Sequence, residues 1–87
     1  MKEYKNKQGQ LHRTDGPAIE YDNGTKEWYI NGKLHRTDGP AIEYDNGSKE
    51  WWVNGELVYS DEENNLSQYP NLSESFKRSI IKYELAR

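Results

Sequence analysis

Apolar and polar residues alternate in short runs through the first two-thirds of the chain, and glycine-containing turns interrupt the runs every few residues. The run Lys26-Glu27-Trp28-Tyr29-Ile30 leads into Asn31-Gly32, and Lys33-Leu34-His35 follows. Asn-Gly between two such runs predicts a two-residue type I′ hairpin, because both central residues of that turn need positive φ. The turn sets Tyr29 opposite Leu34, Trp28 opposite His35 and Glu27 opposite Arg36, the last an attractive charge pair. The turn at Asp22-Asn23-Gly24 has two readings. A two-residue loop faces Glu20 with Glu27, whereas a three-residue loop with Gly24 at a bulge faces Glu20 with Lys26, and charge favours the second. Thr37-Asp38-Gly39-Pro40 makes a third turn, with Pro40 at a strand start because it cannot donate to a ladder.

These runs recur. Residues 9–31, GQLHRTDGPAIEYDNGTKEWYIN, return at 32–54 as GKLHRTDGPAIEYDNGSKEWWVN, identical at 19 of 23 positions. Lys2-Glu3-Tyr4 matches Lys26-Glu27-Trp28 as a leading partial unit, and Gly55-Glu56-Leu57 opens a trailing one. Units of this length bury their apolar residues chiefly against neighbouring units, so the ends of a short array need caps. The expected architecture is a mainly β, antiparallel hairpin-repeat meander over 1–58, with no helix between 17 and 54 and a C-terminal α-helical cap within 59–87.

The periodicity turns helical from about Glu56. Ser60-Asp61-Glu62-Glu63 has the form of a capping box. Over 72–86, Leu72, Phe76, Ile80 and Tyr83 fall in one stripe of a 3.6-residue helix, with Asn71 and Glu74 as a cap pair after Pro70. That stripe is expected to pack on the repeats. Ile81 and Leu85 lie almost opposite and are candidates for contact with another chain.

Composition changes the picture in one respect. Leu, Ile, Val and Phe total only 14 of 87 residues, but 11 aromatics, seven Tyr, three Trp and one Phe, supply core material of their own. A net charge of −3 argues against a nucleic-acid partner, which needs clustered cations. The absence of cysteine excludes disulfide and thiolate chemistry. No stretch has the apolar length of a signal peptide or a membrane span, so the expected location is cytoplasmic, with no membrane insertion.

The candidate chemistry is sparse. His12 and His35 each precede an Asp by three residues, a spacing open to metal binding, yet Asp before Gly-Pro is ordinary turn chemistry and His opposite Trp28 an ordinary cross-strand contact. No nucleophile is paired with a base, and two near-identical copies of a would-be site suit no single active centre. Neither catalysis nor a cofactor or metal is therefore expected. Trp28-Tyr29 and Trp51-Trp52 place one ring of each pair on either face of a strand, either as a binding patch with Arg36 or as a second buried face. The acidic residues Glu56, Asp61, Glu62 and Glu63 are either solvated surface or a patch that steers a basic partner.

Glu27-Trp28-Tyr29-Ile30-Asn31-Gly32-Lys33-Leu34-His35, then Gly39 and Asp45-Asn46-Gly47, resembles the MORN repeat in motif and in its 23-residue period. The likeness covers about residues 2–58. It departs where Arg36-Thr37-Asp38-Gly39-Pro40 replaces the usual glycine run, a variant similar to repeats of bacterial and viral proteins. The resemblance implies β-hairpin repeats and protein–protein association, in an adaptor or a small virus- or mobile-element-type inhibitor of a host protein, with lipid or membrane-surface binding as the alternative. Residues 1–54 carry eight Lys or Arg against nine Asp or Glu, so no basic bias favours lipid. The expected partner is another protein, reached through Trp28, Tyr29, Arg36, Trp51, Trp52, Ile81 and Leu85, with a homodimer through a sheet edge or the C-terminal helix also expected.

Overall fold

A computed structural model describes residues 1–60, 77, 78 and 80–82. Eight short strands follow one another: β1 (Lys2–Glu3), β2 (Ile19–Glu20), β3 (Lys26–Glu27), β4 (Tyr29–Ile30), β5 (Lys33–Leu34), β6 (Ile42–Glu43), β7 (Lys49–Val53) and β8 (Glu56–Ser60). Every pairing is antiparallel. Six strands form one sheet in the order β1-β2-β3-β6-β7-β8, and β4-β5 form a hairpin beside it. Lys77, Arg78 and residues 80–82 are helical. The protein is thus mainly antiparallel β with a C-terminal helix, and no helix occurs between 17 and 54.

The turns follow the charge and glycine arguments. Glu20 pairs with Lys26, Tyr21 N–H donates to Thr25 O at 2.9 Å, and Gly24 carries φ +98°, which selects the three-residue loop. Asn31 and Gly32 both have positive φ, 49° and 83°, as type I′ requires, and Tyr29 pairs with Leu34. His35 N–H donates to Trp28 O at 3.1 Å, which places those two opposite each other.

The expected pairing of Glu27 with Arg36 does not form. Glu27 pairs instead with Ile19 and Ile42, and Arg36 N–H donates to Trp52 O at 3.0 Å. The reason is an excursion of residues 36–40 out of the sheet. Both of its ends land on Trp28: His35 N–H donates to Trp28 O, and Trp28 N–H donates to Ala41 O at 2.7 Å. The same arrangement occurs one unit earlier, where Tyr4 receives His12 N–H at 2.9 Å and donates to Ala18 O at 2.8 Å. The strand thus steps over five residues, and β3 and β4 are two halves of one extended segment.

Arginine closes each excursion. Arg36 Nε donates to Asp38 at 3.1 Å, Nη1 donates to Pro40 O at 3.0 Å and to Glu43 at 3.1 Å, and the guanidinium lies 4.0 Å over the Trp28 ring. Arg13 repeats this with Asp15 at 3.0 Å, Pro17 O at 3.2 Å, Glu20 at 3.5 Å and the Tyr4 ring at 4.0 Å. A side chain at Gly16 would meet the Arg13 guanidinium at 3.0 Å, so a larger residue there would displace the clasp by a few tenths of an ångström. Lysine has a single ammonium group and cannot satisfy three acceptors in a plane while lying over a ring. Arg36→Ala is expected to lower stability by about 1.5–3 kcal/mol, the range for hydrogen bonds to charged groups, and Arg36→Lys to restore little of it. Urea titration of the three proteins checks this.

The core is thin and aromatic at one end. Ala18, Ile19, Ala41 and Ile42 are buried along the repeats, and Trp51, Tyr59 and Ile80 form a closed cluster with Val53 and Val58 against it. Trp51 and Tyr59 meet edge to face, with centroids 5.4 Å apart and planes at 67°. The switch to helical periodicity at Glu56 does not occur. Glu56–Ser60 is β8, with Trp51 paired to Tyr59 and a register shift between Trp51 and Trp52. Ser60 ends that strand in a buried position. The capping box over 61–63, the Asn71–Glu74 cap pair and the helix positions Leu72, Phe76, Tyr83 and Leu85 lie outside the described residues.

Candidate functional site

Two consecutive excursions leave a groove between them. Residues 13–16 form one wall and residues 35–38 the other, with Trp28 and Ile30 at its base, and it encloses about 480 Å³. The base lies between the walls because the 28–30 segment pairs on both sides: Arg13 N–H donates to Tyr29 O, and Tyr29 pairs with Leu34. Trp28 and Ile30 are two residues apart and so share a face.

The walls present carboxylates to solvent and keep cations inside. The side chains of Asp15 and Asp38 are 83% and 86% exposed, whereas those of Arg13 and Arg36 are 26% and 17% exposed and lie over rings. Thr14 and Thr37 are exposed beside them. A near-balance of acidic and basic residues therefore conceals a rim of exposed, arginine-paired carboxylates and hydroxyls over an aromatic base.

The histidines serve the backbone. His12 Nδ1 accepts from Asn31 N–H at 2.9 Å and His35 Nδ1 from Asn54 N–H at 3.1 Å, each bracing the hairpin turn that follows. No group of three His, Cys, Asp or Glu side chains placed to hold a metal ion occurs among the described residues.

The opposite face carries the second ring of each aromatic pair. Tyr29 donates its hydroxyl to Glu27 at 2.9 Å, and Trp52 donates its indole N–H to Glu50 at 2.9 Å. Partial burial first, then the Glu27 carboxylate, push the Tyr29 phenol well above its ordinary value, and Tyr21 is raised in the same direction for the same reasons. A raised folded-state value means that the fold retains the proton longer than the unfolded chain does. Stability is therefore full below about pH 10 and falls as pH rises beyond it. Tyr29→Phe is expected to flatten that alkaline decline, read as the denaturation midpoint at about pH 9 and pH 11.

The residues singled out in the sequence do not form one site. Trp28 and Arg36 meet in the groove, whereas Tyr29 and Trp52 lie on the other face, each tied to a glutamate. Trp51 is fully buried and belongs to the core rather than to an exposed surface. Ile81 is 46% exposed beside the buried Ile80, as the two-stripe reading expects, and Leu85 lies outside the described residues. Of the acidic residues, Glu56 is exposed at the start of β8, and the other three are outside the described set. Sequence reasoning missed Thr14, Asp15 and Ile30 as groove residues. The available signal was the duplication of Arg-Thr-Asp-Gly-Pro, which places two identical loops on one side of a sheet.

No helix among the described residues is long and apolar enough to cross a membrane. No protein family, curated protein or solved structure matches the chain in comparison.

Proposed function

We propose that this protein is a non-enzymatic protein-binding module that engages its partner through the groove between the two excursions. The observation that carries the reading is the groove itself: an aromatic and aliphatic base with a rim of exposed carboxylates and hydroxyls, fixed by backbone bonds and arginine clasps. Such a base desolvates an inserted side chain while the rim sets its orientation. The resemblance to the MORN repeat points the same way, and a stoichiometric adaptor or inhibitor needs no more chemistry than this. The groove's arginines are paired with Asp15 and Asp38 and present no basic patch, so the lipid reading has no observation of its own. Self-association through the β1 edge or through Ile81 is part of the same proposal, since both are exposed.

Photo-crosslinking tests it. A photoreactive residue at Thr37, on the rim, is expected to yield a discrete adduct with another protein in the native cell, and one at Asn46, in a distant turn, is expected to yield none. The adduct should disappear when Ile30→Glu is added, with circular dichroism unchanged. Equal adducts from both positions, or none from Thr37, overturn the proposal.

A further inference from the structure

The repeat supplies an internal example of what the groove accepts. Shifting by one 23-residue period, Trp51, Val53, Val58 and Tyr59 are the counterparts of Trp28, Ile30, His35 and Arg36. Those four counterparts pack together with Ile80 of the C-terminal helix. The walls agree: Gly39 and Pro40 are buried, whereas their counterparts Gly16 and Pro17 remain partly exposed. The second groove of the array is thus filled within the chain by an aliphatic side chain on a helix, and no described residue fills the first.

We infer that the open groove receives an amphipathic helix from another protein, which presents one aliphatic side chain to Trp28 and Ile30 and basic residues to Asp15 and Asp38. This rests on the protein-binding reading above and names the partner's chemistry. Three observations select that occupant. The filled groove takes an isoleucine from a helix. That helix also carries Lys77, Arg78 and Lys82 around Ile80, the charge that the exposed carboxylates of the open rim would attract. The chain's own Ile80 is already committed to Trp51, so the same side chain cannot also serve the first groove. A helix laid in a groove is an established mode of recognition, with anchors read at helical spacing.

The probe is a synthetic peptide of residues 71–87 of this chain, titrated into the full-length protein. Three tryptophans give three indole N–H resonances, so the site of binding is read directly. The expected result is saturable movement of the Trp28 resonance with the Trp51 resonance unmoved, at a Kd on the order of 0.1 mM. The peptide with Ile80→Asp should not bind. Thr14→Lys with Thr37→Lys, at exposed rim positions outside the arginine clasps, should weaken binding of the basic peptide roughly fivefold while the circular dichroism stays unchanged, as expected for two added rim repulsions. Movement of Trp51 alone, which marks exchange with the chain's own helix, overturns the inference. So does the absence of any movement at millimolar peptide, or equal binding of the Ile80→Asp peptide. If the peptide fails while the Thr37 adduct still depends on Ile30, the module binds a protein of another shape and only the helix is refuted.

Discussion

Trp51→Ala is expected to unfold the protein at 37 °C. Trp51 is fully buried, meets Tyr59 edge to face and packs with Ile80, and it is the largest fully buried side chain among the described residues. Truncation of a buried tryptophan costs about 3–5 kcal/mol through lost transfer energy and an unfilled cavity. Small domains stand only about 5–15 kcal/mol above their unfolded state, and an aliphatic-poor chain has few other large side chains to share the loss. Thermal melting followed by near-ultraviolet circular dichroism is the measurement. A midpoint within a few degrees of wild type would mean that the cluster around Ile80 adds nothing to the repeats. Trp28→Ala, at a half-buried ring on the groove, should cost distinctly less.

The second expectation separates two adjacent residues. Ile80→Asp places a carboxylate in a fully buried site beside Trp51 and Tyr59, and a buried charge with no partner is among the most destabilising changes available, at several kcal/mol. Ile81→Glu changes a residue that is 46% exposed and should lie within about 0.5 kcal/mol of wild type. Denaturant titration of both variants decides the matter. Equal losses would show that the helix buries both stripes, and no loss from either would show that it merely lies alongside the sheet.

Much of this arrangement was legible in the amino-acid sequence wherever one local rule decided it. Asn31-Gly32 specified a type I′ turn because few other residue pairs accept positive φ twice, and Glu20 opposite Lys26 selected a loop length through charge alone. Ile80 and Ile81 were separated by helical periodicity. Arg36 was misplaced because cross-strand counting assumes an unbroken partner strand, and nothing in the alternation of residues says that both ends of 36–40 return to one tryptophan. β8 was misread because Glu56 and the acidic residues after it are poor strand formers. The pairing of Tyr59 with Trp51, a tertiary contact, overrides that preference. The groove was hidden for a related reason. Its base comes from one hairpin strand and its walls from loops on either side, so it exists only after the units have stacked.

The same stacking governs how the protein ages. Four Asn-Gly pairs, beginning at Asn23, Asn31, Asn46 and Asn54, are the sequence context in which asparagine most readily cyclises onto the following backbone nitrogen and deamidates. In the fold each of those nitrogens is committed. Gly24 N–H donates to Tyr21 O, Gly47 N–H to Tyr44 O, Gly32 N–H to Leu11 O and Gly55 N–H to Leu34 O. The first two bonds lie within a single turn, whereas the last two reach into a neighbouring unit. Asn31 and Asn54 are therefore shielded only while the units remain docked, and their deamidation, followed by mass spectrometry of stored protein, is a slow clock for how often the array comes apart.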